Sequence, residues 1–172
     1  MSVSGPTFSG YLNFIRTVMA ISTAVLPDNS IYIPWSYQMA LRWVNTNLQQ
    51  VQSQSFAPPD GLDPTYPSLY AVAVYNLAGD RLVNYAQDVL NAPPVQGGTL
   101  PYFANLRATY KLNAFVAGAV NSTSDEGTSV SLTVPESLGQ LTFDNLQRMK
   151  TPWGREYLGI AQSLGPSAWG LT

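Results

Sequence analysis

The sequence predicts a mainly α-helical fold, a small bundle of four to five helices with a β-hairpin insertion and an extended C-terminal tail. Three observations support this prediction. Apolar residues recur at helical spacing over long segments, one short segment alternates with the period of a strand, and glycine or proline stands at the ends of most segments. At 172 residues the chain is most simply one domain, long enough to bury a core.

The first two predicted helices are amphipathic. Phe8–Leu26 carries apolar residues on one face and polar residues, including Arg16, on the other, and Pro27 ends it. The second helix is predicted to begin near Pro34 and to continue to about Ser53. Its second half has a neutral face of asparagine and glutamine, which suits either water or a symmetric neighbour.

The most apolar segment, residues 67–90, is predicted to be one helix at the centre of the bundle. Its apolar pattern is too long for a single strand, and a helix that is apolar on nearly all sides is usually a central one. Asp80 and Arg81 are expected to mark its only water-facing stripe. Gly79 lowers the helix propensity by about 1 kcal/mol relative to alanine, so a close packing contact is expected there.

A β-hairpin is predicted at residues 115–134. Its second arm, Ser129–Val134, alternates apolar and hydroxyl side chains with a period of two, which is typical of a half-buried strand. Its first arm, Phe115–Val120, consists of small, aromatic and β-branched residues. The intervening turn, residues 121–127, is acidic and ends in Gly127, which can adopt the positive φ that a hairpin exit often requires.

Three further helices are predicted around and after the hairpin. Pro101 is expected to open a short helix, and Thr142–Lys150 is expected to form another. The last helix is predicted to begin with Thr151 as its N-cap and Pro152 as its first helical residue. Gly165, which is followed by proline, is predicted to end that helix.

Two features near the C-terminus have more than one interpretation. Arg148, Lys150 and Arg155 form a small basic cluster, which either contacts phosphate or an acidic partner or is an ordinary solvated helix flank. Three charges are too few to favour the first interpretation. Trp169, in the segment beyond the last helix, either folds back on the core or inserts into another protein.

The composition argues against catalysis. The chain has no histidine and no cysteine, which removes the commonest general base near neutral pH and every thiolate site. The only adjacent carboxylates, Asp125 and Glu126, lie on the predicted hairpin tip, and the glycine pair at 97–98 is not followed by the lysine of a phosphate-binding loop. We therefore expect no enzyme activity, no catalytic residue, no cofactor and no metal.

The low charge content limits the possible partners. Charged residues make up 10% of the chain, against roughly 25% in average globular proteins. Either its surface is polar but uncharged, or much of it is covered by other subunits, because interface cores are depleted in charge. A net charge of −2 gives no basic surface for holding nucleic acid, although nucleic acid can pass nearby. No signal peptide or membrane span is indicated, and a cytoplasmic origin is expected.

The order of several segments carries a resemblance. FIRT and IYIPWSYQMALRWV are similar to an opening pair of helices, LYAVAVYNLAGDRLVNYA to an apolar central helix, and AGAVNSTSDEGTSVSLTVP to a Ser/Gly-rich hairpin. TPWGREYLGIA then matches a Thr-x-x-Gly-x-x-Tyr helix through Thr151, Gly154 and Tyr157. Together they resemble the head-to-tail adaptor (connector, or head-completion) proteins of tailed bacteriophages, from about Phe14 to Leu164. The chain lacks the histidine often found on the family's central helix and has a longer connector at 135–150.

The resemblance implies a structural protein of the virion. Family members have a helical body with a hairpin and form a ring, usually of twelve copies, between the portal and the tail. The implied body is 1–164 and the implied portal-docking tail is 165–172, with Pro166, Trp169 and Leu171 as docking residues. The hairpin would contact neighbouring subunits or the next tail component through the following residues: Val130, Leu132, Asp125 and Glu126.

The implied partners follow from this position in the particle. They are further copies of the chain, the portal protein and a downstream tail or nozzle protein, while DNA passes through the ring without specific binding and no membrane is involved. The location would be the virion neck, after synthesis in the host cytoplasm. Two alternatives remain open: another virion role, in tail completion or capsid decoration, and a cytoplasmic helical binding module.

Overall fold

The fold is mainly α-helical, as predicted, in a computed structural model that describes residues 5–44, 68–90, 92–114, 122–125, 128–131 and 143–163. Within these residues there are six helices and one pair of short strands. This number of helices is one more than the predicted upper number of five, although a helix was predicted in each of the six segments, including the two that form helices of only eight and six residues. The elements are α1 (Phe8–Thr17), α2 (Tyr32–Trp43), α3 (Leu69–Tyr85), α4 (Tyr102–Thr109), β1 (Ser122–Asp125), β2 (Thr128–Ser131), α5 (Phe143–Arg148) and α6 (Pro152–Ser163).

The apolar helix α3 lies at the centre, which confirms the prediction for this segment. It contacts α1, α2, α4 and α6, and α5 packs on α6. Ser68 caps its start by accepting a hydrogen bond from the backbone N–H of Ala71 at 3.1 Å. The close contact expected at Gly79 is also confirmed, because a Cβ at this position would lie 3.1 Å from Sδ of Met19.

Helix α1 is shorter than predicted. It ends at Thr17 rather than at Leu26, and Ala20 adopts a positive φ of 55°. The segment 17–25 is dense in β-branched and hydroxyl residues, which have lower helix propensity than alanine or leucine. The chain therefore leaves the helix and folds back in a series of turns.

Arg16 holds these turns together. Its Nη1 donates to the carbonyl oxygen of Ile21 at 2.7 Å, and its Nη2 donates to that of Leu26 at 2.7 Å. The same Nη2 forms an ion pair with Asp28. Arg16 thus supplies donors to carbonyl groups that a longer helix would have satisfied along its own axis.

Replacing Arg16 by methionine is expected to lower the free energy of unfolding by about 2–4 kcal/mol, because two carbonyl groups lose a charged donor. Urea denaturation followed by circular dichroism would measure this change. Arg42→Met is the matched control, since Arg42 is exposed on α2 and its loss should change stability by less than about 0.5 kcal/mol. Equal effects of the two substitutions would contradict the role given to Arg16.

Helix α2 also ends earlier than predicted. It begins at Tyr32 with Pro34 in its first turn, where the missing backbone N–H has no intrahelical acceptor. Val44 already has extended backbone angles (φ −68°, ψ 118°), whereas the prediction continued the helix to about Ser53. The sequence at this point, Trp-Val-Asn-Thr-Asn, has low helix propensity throughout. Residues 45–67, with the predicted amide-rich face, lie outside the described residues.

The junction between α3 and α4 explains why α3 ends at Tyr85 rather than near residue 90. The carboxylate of Asp88 accepts hydrogen bonds from the backbone N–H groups of Phe103 and Ala104, at 2.8 and 2.9 Å. In return, Nη1 of Arg107 donates to the carbonyl oxygen of Ala86 at 2.6 Å. The side chains therefore satisfy the end of one helix and the start of the next.

The two strands β1 and β2 pair antiparallel. The register places Ser122 opposite Ser131 and Asp125 opposite Thr128. β1 occupies residues that were predicted to belong to the turn. The rest of the predicted hairpin, 115–121 and 132–134, lies outside the described residues, and the hairpin with its predicted bounds stays a prediction.

Candidate functional site

The start of α6 combines a helix cap with a contact to α3. Thr151 is fully buried, and its Oγ1 accepts a hydrogen bond from the backbone N–H of Gly154 at 2.9 Å. The predicted N-cap role of Thr151 is therefore confirmed. The same hydroxyl donates to Oδ1 of Asp80 at 2.6 Å, which joins α6 to α3 across 71 positions of sequence.

Gly154 lies at the closest backbone approach in this region. A Cβ at position 154 would overlap the carbonyl oxygen of Arg148 and would lie 2.8 Å from its carbonyl carbon. It would also lie 2.9 Å from Oγ1 of Thr151. Only glycine allows the first turn of α6 to pack this closely against the end of α5.

Arg148 lies beneath this turn and is 5% exposed. It forms an ion pair with Asp144 one turn earlier on α5, and its guanidinium group lies over the rings of Trp43 and Tyr157, 5.8 and 5.4 Å from their centroids. Arg81 of α3 lies 5.3 Å from the centroid of Trp43. Such cation–π contacts are strongest where the cation is withdrawn from water.

Asp80 is more buried than the charged residues around it, with 2% of its surface exposed. Burial raises the pKa of its carboxyl group to about 6, and the hydrogen bond from Thr151 and the charges of Arg81 and Arg148 only partly oppose this rise. We call Asp80, Arg81, Asp144, Arg148 and Thr151 the polar junction. The prediction that Asp80 and Arg81 mark a water-facing stripe is wrong, because α6 and its cap cover that side of α3.

The three cations of the predicted basic cluster all bond to groups of their own chain. Arg148 is buried in the polar junction. Nζ of Lys150 donates to the carbonyl oxygens of Lys111 and Ala114 at 3.0 and 2.6 Å, and Nη1 of Arg155 donates to that of Met149 at 3.0 Å. The interpretation as a solvated helix flank is therefore wrong for Arg148, which is buried, whereas Arg155 is exposed as that interpretation expects.

A second region of interest is an exposed apolar surface beside the ends of α2 and α3. Ile31 is 75% exposed and Leu90 is 88% exposed, and the ring of Trp35 lies edge-on to that of Tyr85 with centroids 4.9 Å apart. We call the following residues the apolar face: Ile31, Trp35, Tyr85, Val89 and Leu90.

Two grooves are lined in part by these residues: Ile31, Trp35 and Tyr85 line one of about 380 Å³, and Val89 and Leu90 line another of about 430 Å³. The segment 85–90 contributes residues to both grooves. Among the described residues, Asp88 is the only charged one that lines either groove, and its carboxylate already caps α4. In this part of the chain the apolar face thus combines aromatic and aliphatic side chains without a charge available to a partner.

The predicted site residues fall into three groups. Thr151, Gly154 and Tyr157 are all buried and lie together at the start of α6. Asp125 and Val130 lie in β1 and β2, where the structure describes the backbone. The remaining predicted residues lie outside the described residues: Glu126, Leu132, Pro166, Trp169 and Leu171.

The sequence analysis did not recognise Asp80, Asp88 or the apolar face as features of interest. A single carboxylate beside Gly79 in an otherwise apolar helix is a signal that could have indicated a buried polar contact at Asp80. The apolar face had no such signal. Most of its residues were assigned to predicted helices whose ends differ from those in the structure.

The described residues contain no group of three or more histidine, cysteine, aspartate or glutamate residues placed to hold a metal ion. Among the helices described, none is both long and apolar enough to cross a membrane. No protein-family model, curated protein or solved structure matches this chain.

Proposed function

We propose that this chain is a structural subunit of the neck of a tailed bacteriophage, where copies form a ring between the portal and the tail and extend the DNA channel. The apolar face is the observation that carries the proposal. Large exposed apolar patches mark interaction sites, and interface cores are rich in tryptophan and tyrosine and poor in charge. The apolar face has this composition, and its two large aromatic rings, those of Trp35 and Tyr85, are in edge-on contact.

A closed ring would bury much of this apolar, weakly charged surface. Each subunit in a closed ring contacts two neighbours through two different surfaces, and closure leaves neither surface exposed. A chain with 10% charged residues and 45% apolar residues is suited to such extensive burial. The resemblance in segment order, described above, is what assigns the ring to the phage neck rather than to another assembly.

The charge of the chain supports passage of DNA without binding. A wall rich in lysine and arginine would hold the phosphate backbone and slow its movement. The chain has a net charge of −2, and its arginines 16, 107 and 148 are engaged with backbone carbonyl groups or carboxylates. In this proposal the chain carries out no reaction and needs no cofactor.

The finer parts of the proposal concern the hairpin 115–134 and the tail 165–172. The hairpin would contact a neighbouring subunit or the next tail component. The tail would insert between portal subunits, with Trp169 and Leu171 as apolar anchors beside Pro166. The virion neck is the location that follows.

Native mass spectrometry and electron microscopy of the full chain, alone and with the portal protein from the same genome, would test the proposal. We expect a closed ring of about twelve copies that binds portal. The double substitution Trp35→Ser with Leu90→Ser should disrupt the ring, whereas Val18→Ser, also exposed but outside the apolar face, should leave it intact. A chain ending at residue 165 should keep its helical circular dichroism and lose portal binding.

Other outcomes would identify the alternatives. A stable monomer that does not bind portal would contradict the proposal and favour a cytoplasmic binding module. Copies arranged on the capsid lattice, rather than at one vertex, would instead indicate a decoration protein. A ring that binds portal equally well without residues 166–172 would remove the docking role of the tail while preserving the ring itself.

A further inference from the structure

In the described part of the chain, the buried acid of the polar junction, Asp80, has no ion pair of its own. Among the described residues, both neighbouring guanidinium groups pair with Asp144: Arg148 directly, and Arg81 with its Nη2 at 3.6 Å from Oδ1 of Asp144. Asp80 receives neutral donors instead, the hydroxyl of Thr151 at 2.6 Å and the amide of Asn84 at 3.4 Å. A carboxylate withdrawn from water and not paired with a cation is expensive to keep ionised.

The position of Asp80 connects its ionisation to the packing of α6. Its hydrogen-bond partner, Thr151, is the N-cap of α6, and the cap in turn accepts the backbone N–H of Gly154. Movement of α6 away from α3 would break the hydrogen bond to Asp80 and admit water to the carboxyl group. The hydroxyl of Thr151 can donate to either protonation state of Asp80, because one carboxyl oxygen remains an acceptor when the other carries a proton.

We propose that Asp80 is a proton-dependent latch between α3 and α6: uptake of one proton by its carboxyl group tightens the attachment of α6, and release of that proton loosens it. The step forms one O–H bond with a proton from water and breaks no covalent bond. This inference does not depend on the proposed phage role.

The direction of the pKa change decides whether the attachment of α6 becomes stronger or weaker as the pH rises. Burial raises the pKa of Asp80 from 3.8 to about 6, so the folded state binds the proton more tightly than a state in which Asp80 is exposed to water. The favourable contribution to attachment is therefore complete below pH 3.8 and is lost as the pH rises through about 6. Between about pH 5 and about pH 7.5, the equilibrium constant for attachment of α6 to α3 is expected to fall about tenfold.

Several charged or ionisable groups surround Asp80, and the test must distinguish their effects from that of Asp80. On α3 the neighbour is Arg81, and on α5 the neighbours are Asp144 and Arg148, which act on Asp80 electrostatically. On α6, Tyr157 faces the same group, and burial raises the pKa of its phenol, which is thus uncharged across this pH range.

Hydrogen–deuterium exchange of the full chain, corrected for intrinsic rates, would test the latch. In the wild type, protection of α6 amides should fall about tenfold between about pH 5 and about pH 7.5, and more than that of α1 and α2 amides. Asp80→Asn, which keeps the shape and the acceptor oxygen, should abolish this fall. Asp28→Asn, which changes a carboxylate paired with Arg16 outside the polar junction, should retain it.

Two results would overturn the proposal: an equal pH dependence in wild type and Asp80→Asn, or a fall that is identical in α1, α2 and α6. Should Asp80→Asn fail to fold, the ¹³C chemical shift of the Asp80 carboxyl carbon in the wild type decides the question. A titration midpoint near 6 supports the latch. A midpoint below about 4.5 contradicts it, because the folded and water-exposed states would then bind the proton equally.

Discussion

Alanine at position 154 is expected to lower the free energy of unfolding by about 3 kcal/mol, which is at the upper end of typical overpacking effects. The added methyl group would overlap the carbonyl oxygen of Arg148, and this neighbour is backbone rather than the mobile end of a side chain. Relief would require α6 to move away from α5 or the cap at Thr151 to open. Both movements disturb the buried contact with Asp80. Chemical denaturation followed by circular dichroism would measure the loss.

Gly159→Ala provides the control for Gly154→Ala within the same helix. A Cβ at position 159 would have no atom within 4 Å, and the backbone there is helical. Because alanine is the better helix former, this substitution should stabilise the protein by about 0.5–1 kcal/mol. If Gly154→Ala behaved like Gly159→Ala, the close approach of α5 and α6 would be refuted.

Thr151→Val is expected to cost about 2–4 kcal/mol at pH values above the pKa of Asp80. Valine has nearly the same shape, so the change isolates the hydroxyl group. Its removal leaves the carboxylate of Asp80 without its short donor and the N–H of Gly154 without its cap, each worth about 1–3 kcal/mol. Thermal and urea denaturation of the variant would give the loss.

The pH dependence of Thr151→Val distinguishes the lost donor from a general packing defect. A hydrogen bond to the charged form lowers the pKa of a carboxyl group, so removing it raises the pKa of Asp80 further. The variant should therefore lose more stability at about pH 8 than at about pH 5. Thr151→Ser keeps the hydroxyl and should lose only about 1 kcal/mol, at both pH values, for the missing methyl group. Similar profiles for the valine and serine variants would rule out the hydrogen bond as the cause.

The sequence predicted those features that depend on local pattern. The central position of α3 follows from an apolar composition on nearly all sides, and the start of α6 follows from threonine followed by proline. These signals need no knowledge of distant residues. For the same reason the mainly α-helical class could be predicted without the structure.

The features that escaped prediction depend on contacts between residues far apart in the sequence. Asp80 can be buried because Thr151, which lies 71 positions later in the sequence, donates a hydrogen bond to its carboxyl group. α3 ends early because Asp88 caps α4, whose first residues lie about 15 positions later. Periodicity cannot reveal such contacts, since a charged residue in an apolar pattern is equally compatible with a water-facing stripe. The end of α1 is a different case, since the low helix propensity of residues 17–25 is a local signal that the prediction did not use.

The exchange between Asp88 and Arg107 has a consequence for how the chain acquires its fold. A helix of eight residues is too short to persist alone in water, and the start of α4 has no cap from its own N-cap residue, Pro101. Its cap comes from the segment after α3, and the end of α3 is in turn satisfied by Arg107. Neither terminus is complete until the other is present. The corner therefore forms and melts as a single cooperative unit, and α4 has no independent existence on the folding pathway.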